Sequence, residues 1–144
     1  MKDADRRPRA GGGEIALSIV AVLACLGLCA SLYLNWLHYK VHTDASFSSM
    51  CAISEEVNCE TVAMSQYSVI LGLPVSYWGI AAHVLYLLVA GVGLLDARRK
   101  REAGTRGWGI LSIMAAFAVA ASAALFCVAH FAIGSLCPFC IAVW

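Results

Sequence analysis

Apolar residues in this chain gather into long uncharged stretches, not into the short amphipathic stripes of a water-soluble fold. The first, Ile15 to Leu37, runs 23 residues without Asp, Glu, Lys or Arg. A bilayer core of roughly 30 Å is crossed by about 20 helical residues at about 1.5 Å each, so this stretch predicts one spanning helix over about 15–38. The second, Thr61 to Leu95, is too long for one crossing, and Gly72-Leu73-Pro74 divides it. Proline is tolerated in a first helical turn and Ser76 can help cap, which predicts a spanning helix over about 74–95. Thr61 to Leu71 is then a short apolar segment at the membrane surface or over the mouth of a bundle. The third stretch, Trp108 to Trp144, breaks at Gly134-Ser135. It predicts a helix over about 108–133 and another opening at Cys137. The stretch from Pro138 to Trp144 covers about 10 Å as helix, a third of the bilayer, so this fourth helix is expected to continue in a longer chain.

The expected fold is therefore an all-α membrane protein, a transmembrane four-helix bundle whose fourth helix (137–144 onward) is cut short. It has a tail over 1–13 and one transmembrane domain over 14–144. A long loop over 39–73 bears a short capping helix, and a link over 96–107 joins the second and third helices. Composition agrees: 61% of residues are hydrophobic and 13% charged, against about 25% charged in a soluble domain. The net charge of +1 and the lack of a basic face give no sign of nucleic-acid binding. Lys2, Arg6, Arg7 and Arg9 crowd the tail, and Arg98, Arg99, Lys100, Arg101 and Arg106 crowd the link. Basic residues stay on the cytoplasmic side, so loop 39–73 and the turn at 134–140 are expected outside. A cleaved leader is the competing view of the first stretch, and Val22-Leu23-Ala24-Cys25 loosely resembles a lipoprotein processing site. The apolar run, however, exceeds the 7–15 residues or so of a leader core and continues past that site.

The seven cysteines divide by depth. Cys25, Cys29 and Cys127 lie inside expected helices and read as small buried hydrophobes. Cys51, Cys59, Cys137 and Cys140 all fall on the outer side, where disulfides persist. In Cys137-Pro138-Phe139-Cys140 two intervening residues let both sulfurs meet within one turn. Cys137 at an N-cap with Pro138 behind it points the helix dipole at the first sulfur and favours its thiolate. Static disulfides remain the plain alternative, although a small tight ring such as 137–140 stabilises little. A four-cysteine zinc site fits poorly, because the spacing of Cys51 and Cys59 is not a short knuckle.

These residues resemble the vitamin K epoxide reductase family, most closely its bacterial members. The resemblance is carried by Cys51 and Cys59, then Ser65, then Gly72-Leu73-Pro74-Val75-Ser76-Tyr77-Trp78-Gly79, and finally Cys137-Pro138-Phe139-Cys140. It covers about residues 14–144 and implies a helical bundle around a quinone (ubiquinone or menaquinone) in a cell (inner) membrane. It also implies an order of electron flow. Cys51 exchanges with a thioredoxin-like periplasmic protein, Cys59 passes electrons to Cys137, and Cys140 reduces the quinone while Ser65 holds the capping segment near the site. Two other functions are open: reduction of vitamin K epoxide in an endoplasmic reticulum membrane, and a non-catalytic membrane module with two structural disulfides.

Other candidates rest on position alone. Phe126, Ala129, His130 and Ile133 recur at helical spacing and are candidate quinone contacts, and ordinary helix packing explains the same stripe. His130 and His83 are ionisable residues within membrane helices, which makes each a functional candidate, with a hydrogen-bonded packing role as the alternative. Trp36, Tyr77, Trp78 and Trp108 sit where aromatic belts form. No metal ligand set is expected. Protease protection tests the topology: in sealed outside-out vesicles the 40–60 loop should be cut and the 96–107 link spared until the vesicles are opened. Cutting of both from one side would remove all four cysteines from a common oxidising compartment.

Overall fold

The computed structural model describes residues 12–98 and 104–143. The tail residues Lys2, Arg6, Arg7 and Arg9, the link residues Arg99, Lys100 and Arg101, and Trp144 lie outside the described residues. The order of elements is α1 (Gly12–Thr43), α2 (Cys59–Met64), a 3-10 turn (Gln66–Ser68), β1 (Val69–Ile70), β2 (Leu73–Pro74), α3 (Val75–Arg98), α4 (Gly104–Cys127), a π-helical segment (Val128–Ile133) and α5 (Pro138–Val143). Three helices are long and apolar enough to cross a membrane, over Gly12–Thr43, Val75–Ala97 and Trp108–Ile133.

Helices α1, α3 and α4 all run past their uncharged stretches. At the end of α1, side chains continue the helical bonding after the apolar run stops. The His42 Nδ1–H donates to His38 O at 2.8 Å, and the Thr43 hydroxyl donates to Tyr39 O at 2.9 Å. Bilayer thickness limits the apolar part of a spanning helix and leaves its polar extension free.

Helices α1 and α3 pack antiparallel, the most extensive contact between elements. Without a hydrophobic drive between helices in lipid, close backbone approach and interhelical hydrogen bonds hold such a pair. Small residues lie along this seam: Ala24, Ser31 and Ala90 are buried, and Leu17 lies against Gly93. Polar contacts recur along it. Ser76 donates to Asn35 Oδ1 at 3.1 Å, and Ser31 Oγ lies 3.5 Å from His83 Nδ1. His83, flagged above, donates through Nδ1 to Gly79 O at 2.7 Å, and its ring lies directly over Gly27. It is a packed and bonded histidine.

The outer faces of the three long helices carry exposed Leu23, Leu26, Leu88, Val92, Ile113 and Phe117, as expected of surfaces solvated by acyl chains. Cys25, Cys29 and Cys127, expected to be buried, are exposed on the helices instead. An apolar thiol is solvated by lipid as well as by a protein interior, so burial was not required of them. The buried core lies at one end of the bundle, where Leu37, Cys51, Cys59 and Cys137 cluster with Tyr33, Leu34, Phe47, Val62 and Phe139 packed around them.

The segment expected to cap the bundle folds as α2, the 3-10 turn and a two-residue hairpin. Leu71 (φ 53°) and Gly72 (φ 80°) make its turn, the pair of positive φ angles that a tight hairpin of this hand demands. The Trp78 indole donates to Ile70 O at 3.3 Å and ties the hairpin to α3. Pro74 ends β2, and α3 starts at Val75.

A methyl group at Gly27 would collide with the His83 ring, whereas one at Gly91 meets nothing. Gly27→Ala should therefore destabilise the protein by about 1–3 kcal/mol through overpacking. Gly91→Ala should be neutral or stabilise by about 0.5–1 kcal/mol through helix propensity. Unfolding in detergent measures both, and equal effects would deny the close seam.

Candidate active site

Two chain segments far apart in sequence are joined here by backbone hydrogen bonds. Val57 and Leu136 form a parallel bridge, in which Asn58 N–H donates to Leu136 O at 3.1 Å and Leu136 N–H donates to Glu56 O at 2.8 Å. The buried Ser135 hydroxyl adds a bond to Asn58 O at 3.4 Å. Each segment then leads directly into a helix that opens with a cysteine. Asn58 is the N-cap of α2, its Oδ1 accepting from Glu60 N–H at 2.9 Å and Thr61 N–H at 3.2 Å; this is the standard satisfaction of first-turn donors. Gly134, at φ 72°, reverses the chain after the π segment, and Cys137 immediately precedes α5.

The bridge brings the cysteines together. Cys51 and Cys59 are disulfide-bonded, and Cys137 Sγ lies 3.3 Å from Cys59 Sγ. The Cys140 N–H points at Cys137 Sγ, 3.2 Å away. Cys51, Cys59 and Cys137 are almost wholly buried, at 3%, 1% and 2% exposure. Phe139, between the last two cysteines, stacks at a tilt on Tyr33 of α1 with centroids 4.9 Å apart, and Trp36 meets Phe47 edge-on at 5.5 Å. These rings hold α5 and the start of the loop against α1.

Cys137 lies outside the three spanning helices, and its thiol is held below the ordinary cysteine range. The hydrogen bond from the Cys140 side chain contributes most; burial opposes it, and the amides of Cys140 and Phe139 add to the lowering. Lowering of this kind favours the thiolate, the form that attacks a disulfide. On the other side of the site, Ser49 Oγ lies 3.6 Å from Cys51 Sγ, and Ser49 N–H donates to Glu60 Oε1. Glu60 thus fastens the chain beside Cys51 to helix α2. Cys51 is buried within the segment that runs from Ser49 to Ile53. That segment presents exposed Met50 and Ile53.

A cavity of about 370 Å³ opens beside the sulfurs, with Cys59, Cys137 and Cys140 in its wall. Ser65, Phe126, Ala129 and Ile133 line it as well. Ser65 also ends α2, its hydroxyl donating to Val62 O at 2.8 Å. His130 does not line it: the ring is exposed, stacked on Phe126 at 6.0 Å and edge-on to Phe131 at 4.8 Å. The stripe that included His130 assumed α-helical register, and residues 128–133 are π-helical. Bonding from i to i+5 rotates successive residues by less per step, and here Phe126, Ala129 and Ile133 stay on the cavity wall while His130 lies off it. Two residues in the wall were not anticipated, Ser31 and His38. With Leu34 they lie at i, i+3 and i+7 on α1, a stripe that could have found them. Among the described residues, no group of three or more His, Cys, Asp or Glu is placed to hold a metal ion.

Helical architecture, three helices able to span a bilayer and a buried cysteine cluster define a membrane redox protein. A sequence profile of the vitamin K epoxide reductase family matches residues 18–144, and the chain belongs to that family, whose members are oxidoreductases. No curated protein matches the chain.

The depressed Cys137 thiol gives a directional test. With the Cys51–Cys59 disulfide intact, alkylation of Cys137, followed by mass spectrometry of its peptide, should persist below the pH range of an ordinary cysteine. In Cys140→Ala the largest stabiliser of the thiolate is gone, so the inflection should move to higher pH. An unmoved or lowered inflection would mean that Cys140 does not set the Cys137 thiolate.

Proposed function

We propose that this protein is a quinone-dependent thiol–disulfide oxidoreductase of a cell (inner) membrane. It oxidises a thioredoxin-like protein outside the cytoplasm and so supports disulfide formation there. The observation that carries the reading is the 3.3 Å contact between Cys59 and Cys137, sulfurs of two different pairs, at the wall of an apolar cavity. Structural disulfides gain nothing from a second pair's thiol at that distance.

The steps balance as exchanges. The partner's dithiol reduces the Cys51–Cys59 disulfide and leaves as a disulfide. The Cys59 thiolate attacks Cys137 of the Cys137–Cys140 disulfide, forming the 59–137 bond and releasing Cys140. Cys51 then attacks Cys59, restoring the outer disulfide and releasing Cys137 as thiolate. That product, outer pair oxidised and inner pair reduced, is the arrangement described above. Two electrons then leave the inner pair for a quinone, ubiquinone or menaquinone, which is a substrate here and not a resident group.

The cavity suits such a substrate. Drug-sized ligand pockets run from about 300 to 1,000 Å³ and combine apolar walls with few polar groups. Here Phe126, Ala129 and Ile133 supply flat apolar surface, and Ser31, Ser65 and His38 supply polar atoms that could meet a carbonyl. The position of Cys140 in the same wall lets its sulfur reach the ring.

Purified variants test the relay. Cys51→Ala and Cys59→Ala should lose oxidation of a thioredoxin-like protein yet keep most dithiothreitol-driven quinone reduction. Cys137→Ala and Cys140→Ala should lose both. In Cys137→Ala a stranded Cys140 thiolate should give a quinone-dependent visible band, absent from Cys140→Ala. Loss of dithiothreitol-driven turnover in the loop variants as complete as in Cys140→Ala would defeat the relay order.

A further inference from the structure

The electron path leaves a proton unaccounted for. Reduction of a quinone to a hydroquinone takes two electrons and two protons. With Cys137 as the thiolate that the exchange releases and Cys140 as thiol, the step is Cys137-S⁻ plus Cys140-SH plus quinone plus H⁺, giving the Cys137–Cys140 disulfide and hydroquinone. The Cys140 S–H bond breaks and provides one proton; Cys137 has none to give. The second must come from water, and a ring held in a membrane cavity meets little of it.

His38 stands where that proton must pass. It lines the cavity together with the reacting sulfurs, it is half-buried, and its ring faces the Ala63 backbone of α2. A neutral imidazole carries one ring N–H and one bare nitrogen, so it can take up a proton on one side and hand one on from the other. One helical turn further on, the exposed His42 ring lies with its centroid 4.4 Å from that of His38, and its Nδ1–H is fixed on His38 O at 2.8 Å. The two imidazoles run in sequence from the cavity to the outer end of α1. The other titratable side chains in the cavity wall are Cys59, Tyr67, Cys137 and Cys140. Cys59 is in the disulfide at this stage, and the nearby Glu60 carboxylate is engaged by Ser49 N–H.

We propose that His38 is the proton donor to the quinone oxygen and is reloaded from outside water through His42. This rests on the quinone reading above and assigns it a catalytic residue. The donor acts after the cysteine relay, so the relay itself does not need it.

The test uses the full chain in detergent with decylubiquinone and dithiothreitol. A wild-type protein that reduced no quinone would defeat the proposed function and leave this inference without its reaction. Given wild-type turnover, His38→Ala and His38→Gln should each lower kcat for quinone reduction by about 10²-fold, the usual worth of a positioned acid. Exchange between the outer and inner pairs, read by thiol trapping, should be unchanged. Added imidazole should restore part of the His38→Ala rate, and the deficit should shrink as pH falls. His42→Ala should show a smaller loss that buffer can repair. His38→Gln keeps the size and a hydrogen-bonding end, so a variant at the wild-type rate would overturn the proposal. A rise in KM alone, no rescue by imidazole, or a comparable kcat loss in Tyr67→Phe with His38→Ala unaffected would also overturn it.

Discussion

Two backbone hydrogen bonds, Asn58 N–H to Leu136 O and Leu136 N–H to Glu56 O, hold the site together. They join segments nearly eighty positions apart, and each segment opens a helix at a cysteine. Helix α2 could not place its sulfur alone, since it is six residues long and isolated helices of that length are marginal. The bridge, the Asn58 cap and the aromatic contacts of Tyr33 with Phe139 supply the order that local propensity does not. The same bridge closes one wall of the cavity, because Leu136 and Cys137 belong both to the turn and to that wall.

The long helices serve this end of the molecule. Their outer faces are solvated by acyl chains and need no packing, so burial concentrates where α1 meets the loop and α5. The α1–α3 seam is tight at Gly27 and Gly93 and bonded at Ser31, Asn35, Ser76 and His83, which sets the positions of Ser31 and His38 in the cavity wall. Ser49 and Glu60 do for Cys51 what the bridge does for Cys59, and their grip makes the buried state of Cys51 the resting one.

Much of this was legible in the pattern of charges and cysteines. A membrane imposes helix length so strongly that uncharged stretches located three spanning helices, and Cys-Pro-Phe-Cys is the motif on which the proposed inner redox pair rests. The parts that were not legible depend on geometry that no short window contains. The Val57–Leu136 bridge is a single pairing between irregular segments, with no periodic signature. His130 lies off the cavity wall, in a π-helical segment that leaves no mark in the spacing of side chains. His38 stands at the very end of the expected first helix, where no motif marks it, although Ser31, Leu34 and His38 share a helical face. Cys25, Cys29 and Cys127 looked like core residues only because lipid and protein interior solvate a thiol alike.

The account depends on Cys59 and Cys137 being the exchanging sulfurs, and trapping tests that most directly. In the double variant Cys51→Ser with Cys140→Ser the two remaining site cysteines have no other partners nearby. Mild oxidation in the membrane should join Cys59 to Cys137 in nearly every molecule, identified by mass spectrometry of the linked peptides. Single variants should enrich the same link at the expense of others. Recovery of Cys59 and Cys137 as free thiols, while Cys51 and Cys137 link readily in Cys59→Ser with Cys140→Ser, would contradict it.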